Sequence, residues 1–138
     1  MNPAPVFLLV EPSLILRLRL HEWLENVLID PHIFTAANGL DALWLAAHEQ
    51  PSHILIEMNL PDITSFEIVR QLRQGQPAAR IIATGGYESR FFLDRILVSG
   101  ADGFIFKNKL HSELLSLLFQ VPLGKRMDNG KTSACLDR

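Results

Sequence analysis

Short apolar runs recur along the chain, each followed by a stretch with helical character. Val6 to Val10 is continuously apolar, as a strand buried on both faces of a sheet requires. Pro12-Ser13 then opens a helix to about Leu28. Its first half alternates Leu16, Arg17, Leu18, Arg19 and Leu20 in a partly strand-like way, but its length and the Ser13 cap favour helix. Pro31 breaks the chain, and His32 to Ala36 reads as a second strand. Asn38-Gly39 marks a turn before a helix from Leu40 to Glu49, with Asp41 in its first turn. His53 to Glu57 is the third strand, and a helix follows from about Ser65 to Arg73 with Ile68, Val69 and Leu72 facing inward. Arg80 to Thr84, a helix from Glu88 to Val98 stopped by Gly100, Gly103 to Phe106, and a closing helix from His111 to Gln120 complete the pattern.

Five strands alternating with five helices imply a parallel sheet covered on both faces. The expected fold class is α/β, a doubly wound, flavodoxin-like sandwich with a five-stranded parallel sheet. The expected domain is residues 1–121. From Pro122 to Arg138 apolar periodicity is lost, and the segment reads as a flexible tail or linker stump. The 138 residues suffice for one self-supporting core, and 48% hydrophobic with 20% charged residues is an ordinary globular composition. A formal charge of −2 offers no electrostatic case for nucleic-acid binding. The start of the chain lacks a basic leader and no apolar run is long enough to span a bilayer, so a cytoplasmic location without membrane contact is expected. Cys135 is the single cysteine and reads as an unpaired surface thiol.

The chemistry gathers at strand ends. Glu57 closes the apolar run His53-Ile54-Leu55-Ile56 and precedes Met58-Asn59-Leu60-Pro61-Asp62. A carboxylate delivered to the carboxyl end of a strand lies where open α/β sheets bind ligands. Leu9-Val10-Glu11 ends the first strand on another acid. The stretch Ser99-Gly100-Ala101-Asp102-Gly103-Phe104-Ile105-Phe106-Lys107 combines a glycine spacing, an aromatic and a lysine. Together these segments resemble response-regulator receiver domains of two-component signalling, with the resemblance running from Val6 to Gln120.

That resemblance implies a definite chemistry. A carboxylate at the position of Glu57 would attack a phosphoryl group and become an acyl phosphate. An acidic pair after the first strand, the nucleophile and the Asn59 carbonyl would hold Mg²⁺, giving Glu11, Glu57 and Asn59 as metal-ligand equivalents. A hydroxyl after the fourth strand and Lys107 after the fifth would hold the phosphoryl oxygens. Phe104 stands at the switch aromatic.

The chain departs from that pattern at three positions. Glu57 replaces the family's Asp. Pro12 occupies the second acidic position and has no side-chain ligand atom. The family's spacing puts Gly85 where Thr or Ser belongs. Thr84 is adjacent and is the alternative: a one-residue shift would supply its hydroxyl, but would turn the side chain to the other face of a regular strand. A carboxylate displaced by one methylene leaves the near-attack position, and ~1 Å of error can cost ~10²-fold in rate.

The expected function is therefore a degenerate receiver, a pseudo-receiver rather than an enzyme, with no required cofactor and Mg²⁺ at most weakly held. It would work through recognition of a sensor kinase, an output protein or a second copy, the last through the fourth helix, fifth strand and fifth helix. One alternative is a working response regulator phosphorylated at a non-standard residue, with Asp62 the nearest spare carboxylate. Another is a small-ligand binder at the sheet's carboxyl edge, but Gly85-Gly86 is too short to cradle a phosphate and there is no P-loop. The histidines, His21, His32, His48, His53 and His111, form no metal-ligand spacing. Of Phe91-Phe92, one is expected in the core and the other on the surface, because neighbouring helical positions differ by ~100°.

Overall fold

A computed structural model describes residues 4–119 of the chain. The proposed tail, with Cys135, lies outside the described residues, as does Gln120.

Five strands form one parallel sheet: β1 (Val6–Val10), β2 (His32–Ala36), β3 (His53–Glu57), β4 (Arg80–Gly85) and β5 (Gly103–Phe106). Their order is β2-β1-β3-β4-β5, the doubly wound flavodoxin-like arrangement. The strand interiors are apolar on both sides because both sides are covered. Leu8, Val10, Ile54, Ile56, Ile81, Ala83 and Phe104 face one buried cluster, shared with α2 (Gly39–Glu49), α3 (Ser65–Gly75) and α4 (Leu93–Ser99). Phe7, Leu9, Leu55, Ile82 and Ile105 face the other, shared with α1 (Leu14–Val27) and α5 (Leu110–Phe119). Ile68, Val69 and Leu72 of α3 are all fully buried, as their spacing predicts.

Helix boundaries follow local capping chemistry. The Ser13 hydroxyl accepts from the Leu16 N–H and starts α1. The Asn38 side chain accepts from the Asp41 N–H and starts α2. Gly100, with φ near 128°, ends α4 in a conformation that L side chains rarely adopt.

Two expectations fail in the fourth unit. The stretch expected as one helix from Glu88 begins as a 3-10 turn, Tyr87–Phe92, and only then becomes α4. Neither phenylalanine reaches the core: Phe91 is 70% and Phe92 47% exposed. The tighter winding of a 3-10 turn rotates the side chains away from the positions an α-helix would give them. Phe92 instead makes an edge contact with Phe66 of α3.

The chain passes from β2 on one side of β1 to β3 on the other. This is a topological switch point, and a crevice opens there beyond the strands' carboxyl ends. Glu11 follows β1, and Glu57 ends β3, so the two carboxylates flank that crevice. No helix among the described residues is long and apolar enough to cross a membrane.

Candidate functional site

Glu57 is 4% exposed and Glu11 2%. Each is buried in the same way, with one oxygen on a backbone N–H. Glu57 Oε2 accepts from the Asn59 N–H at 2.7 Å, folding the start of the β3–α3 loop back over the strand end. Glu11 Oε2 accepts from the Ser13 N–H at 2.9 Å, fixing the entry to α1. The Arg17 guanidinium donates to the Glu11 carbonyl at 2.7 Å and holds the same loop from the helix side.

The other oxygen of each carboxylate turns to Lys107. Lys107 follows β5, two strands away from β3, and its side chain reaches across the end of β4. Its ammonium lies 3.3 Å from Glu11 Oε1 and in direct contact with Glu57 Oε1. Neither Oε1 atom has a hydrogen-bond partner among the described residues, so the ammonium is what compensates them. Partial burial pulls the Lys107 pKa down. Glu57, and after it Glu11, outweigh that effect and leave it above the ordinary lysine value. The three side chains form a closed triad with one cation between two buried anions.

The residues expected at the end of β4 separate. Thr84 pairs in register with Glu57 and is 1% exposed, yet its hydroxyl has no hydrogen-bond partner among the described residues. Gly85 pairs with Phe106 and is buried. Its empty side-chain position is filled from elsewhere: a Cβ there would lie 2.4 Å from Ser89 Oγ. Phe104 is fully buried against the same spot, 3.6 Å from that position.

The group does not fit Mg²⁺ as it stands. Pro12 supplies no side-chain ligand atom, both carboxylates have their oxygens engaged, and Lys107 occupies the space between them. Among the described residues no cluster of three His, Cys, Asp or Glu side chains is placed to hold a metal ion. A nearly octahedral cation with oxygen ligands would have to displace the ammonium.

Asp62 is also committed. Its two carboxylate oxygens accept from the N–H groups of Gly39 and Leu40, both at 2.9 Å, at the start of α2. Those two bonds, Gly39's first, hold its carboxyl below the ordinary aspartate value. The carboxylate satisfies otherwise unpartnered helix donors and complements the helix dipole.

Sequence reasoning missed two lining residues. Glu88 borders the triad in a recess of about 320 Å³ that also includes Pro12 and Gly86. Ser89 lines a second recess of about 310 Å³ that also borders Glu57 and Glu88, together with Ser65 and Phe92. Only the glycine at position 85 hinted that a neighbouring segment packs closely there.

Comparison with known proteins adds a consistent picture. Residues 7–119 match the family described as the response regulator receiver domain. Response regulator GacA of Pseudomonas aeruginosa is 30% identical over 88 residues, which are 64% of this chain and 41% of that protein. Transcriptional activator protein ExaE of Pseudomonas putida is 28% identical over 117 residues, 85% of this chain and 55% of that protein. The chain spans about half the length of these curated relatives. Among solved structures, the signal receiver domain of an HD domain-containing protein from Pseudomonas fluorescens superposes with a TM-score of 0.78 at 21% identity, covering 86% of this chain and 94% of the other. A response regulator from Burkholderia pseudomallei, described with a phosphorylated aspartic acid, calcium ion and citrate, gives a TM-score of 0.76 at 25% identity, covering 83% of this chain and 66% of the other.

Proposed function

This chain belongs to the response regulator receiver domain family, and from that membership we propose that it is a pseudo-receiver. In this reading it is a two-component signalling module whose phosphoryl chemistry is lost and whose fold is held near one signalling state. The observation that carries the reading is the closed triad. Lys107 neutralises Glu11 and Glu57 together, and the remaining carboxylate oxygens are held by backbone N–H groups. The ammonium that the family would use on a phosphoryl group is already satisfied by protein carboxylates. Glu57 thereby takes, in part, the electrostatic place of a phosphorylated Asp.

The module then acts by recognition rather than catalysis. Its partners are a sensor kinase, an output protein or a second copy of the chain. The surface best suited to this lies beside the site, on the 3-10 turn and β5. Tyr87 is 71% and Phe91 70% exposed. The Arg90 guanidinium lies over both rings, 3.7 Å from the centroid of Tyr87 and 4.0 Å from that of Phe91. Aromatic and Arg side chains of this kind are enriched where proteins meet.

Incubation with a small phosphodonor and Mg²⁺, followed by intact mass, tests the proposal. No phosphoryl adduct is expected. A stoichiometric adduct that disappears in Glu57→Gln would refute it, and one that disappears in Asp62→Asn would favour a working regulator using that carboxylate instead.

A further inference from the structure

Gly85 and Ser89 fit one another in a way the triad does not require. Gly85 ends β4 and is buried. A Cβ built there would meet Ser89 Oγ at 2.4 Å and Ser89 Cβ at 3.4 Å. The first distance is impossible without movement, and the second is ordinary contact. Ser89 sits in the middle of the 3-10 turn Tyr87–Phe92 and is 6% exposed. Its N–H donates to the Gly86 carbonyl at 3.0 Å, so the turn is tied to the residue after the notch. Its hydroxyl makes no protein hydrogen bond among the described residues, so shape seats it, with the oxygen against the open side-chain position of Gly85. Phe104, fully buried, closes the far wall of the notch.

We propose that Gly85 and Ser89 form a notch-and-peg interlock that fixes the turn Tyr87–Phe92 against β4 and Phe104, holding the Tyr87–Arg90–Phe91 surface in one arrangement without a phosphoryl group. The interlock supplies the regulation of the proposed pseudo-receiver and rests on that reading for its purpose. Its geometry is independent of it. A receiver signal has to move some element between two arrangements, and here the element next to the site is held by a side chain from its own turn.

The two contact distances define the test. Gly85→Ala places a Cβ against the hydroxyl, which either rotates about χ1 and leaves the turn in place or, if the interlock holds, carries the turn with it. Ser89→Ala removes only that oxygen, so the double variant Gly85→Ala/Ser89→Ala leaves the two Cβ atoms in ordinary contact. The chain contains a single tyrosine, and it is Tyr87. Fluorotyrosine labelling therefore gives one ¹⁹F resonance, located on the turn.

The wild-type chain is expected to give one sharp line. Gly85→Ala should give a displaced or doubled line with faster amide exchange across residues 87–92, and the double variant should return both readouts toward wild type. A Gly85→Ala spectrum and exchange pattern matching wild type overturns the interlock, as does a double variant no closer to wild type than Gly85→Ala. If Gly85→Ala does not fold, the double variant decides: a folded protein with the wild-type resonance upholds the interlock, and an unfolded one overturns it. Phosphodonor labelling is read separately, so an adduct on a chain with an intact interlock refutes the pseudo-receiver reading alone.

Discussion

Replacing Lys107 by methionine keeps most of the side chain's length and removes its charge. The variant leaves Glu11 and Glu57 facing each other with one oxygen each uncompensated. At an effective dielectric of ~20, a unit pair at the 3.3 Å separating Lys107 from Glu11 attracts by ~5 kcal/mol before desolvation. Most of that is offset by the cost of burying the groups. Removing one partner of a buried pair typically costs ~3–5 kcal/mol. Lys107 is 34% exposed, so water can enter where it was, and the discounted expectation is about 2–3 kcal/mol at neutral pH. Urea unfolding gives the difference directly. In the wild type the pH dependence of the triad lies at the alkaline end. The Lys107 pKa is raised on folding, so its contribution is fully present below the unfolded value of 10.5 and is lost as pH rises through the raised folded value. A loss under about 0.5 kcal/mol at neutral pH would refute the triad as the electrostatic centre of the site.

Other substitutions probe separate features. Thr84→Val removes a buried hydroxyl with no hydrogen-bond partner among the described residues and should raise stability by about 1 kcal/mol in the same assay, whereas a loss of that size would mean the hydroxyl is bonded. Gly39→Ala places a Cβ 2.7 Å from Ile68 Cδ1 and should cost ~1–3 kcal/mol through overpacking. Asp62 has a lowered folded pKa, so its contribution is present above the ordinary value of 3.8 and lost as pH falls through the folded one; Asp62→Asn should flatten acid unfolding in that window. His53 stacks on Phe7 and lies against Phe119. Burial, then the charge of Arg80, lowers its pKa, against an opposing pull from the Leu118 carbonyl. The folded chain therefore binds fewer protons than the unfolded chain, stability should fall as pH drops below 6.5, and His53→Phe should remove that slope.

Much of this molecule is legible in the sequence because strand signals are local. Continuous apolar runs such as Val6 to Val10 and Ile54 to Ile56 specify two-sided burial by themselves. The acid or base at the end of each run then locates the crevice, and Glu11, Glu57 and Lys107 meet there. The features that escaped depend on segments distant in sequence or on exact backbone winding. The Asp62 carboxylate caps a helix that begins 23 residues earlier. The turn Tyr87–Phe92 is wound as 3-10 rather than α, so the helical spacing that would have buried one phenylalanine does not apply. A glycine at position 85 signals missing volume but not which side chain enters it, and Ser89 becomes visible only once the turn is placed. Leu14, Ile15 and Leu18 are apolar yet exposed, because they lie off the i, i+4 stripe of Leu16, Leu20 and Leu24 with which α1 packs on the sheet.

The most direct test of the closed site is a backbone amide spectrum of the wild-type chain, recorded during titration with Mg²⁺ and then with beryllofluoride as a phosphoryl mimic. Occupation of the crevice would perturb the amides nearest the triad, those of Asn59, Gly86 and Lys107. The account predicts no saturable, site-specific shift at these positions with either addition. A saturable shift with Mg²⁺ that grows when the mimic is added would show that Lys107 yields to a ligand, and would contradict the central claim.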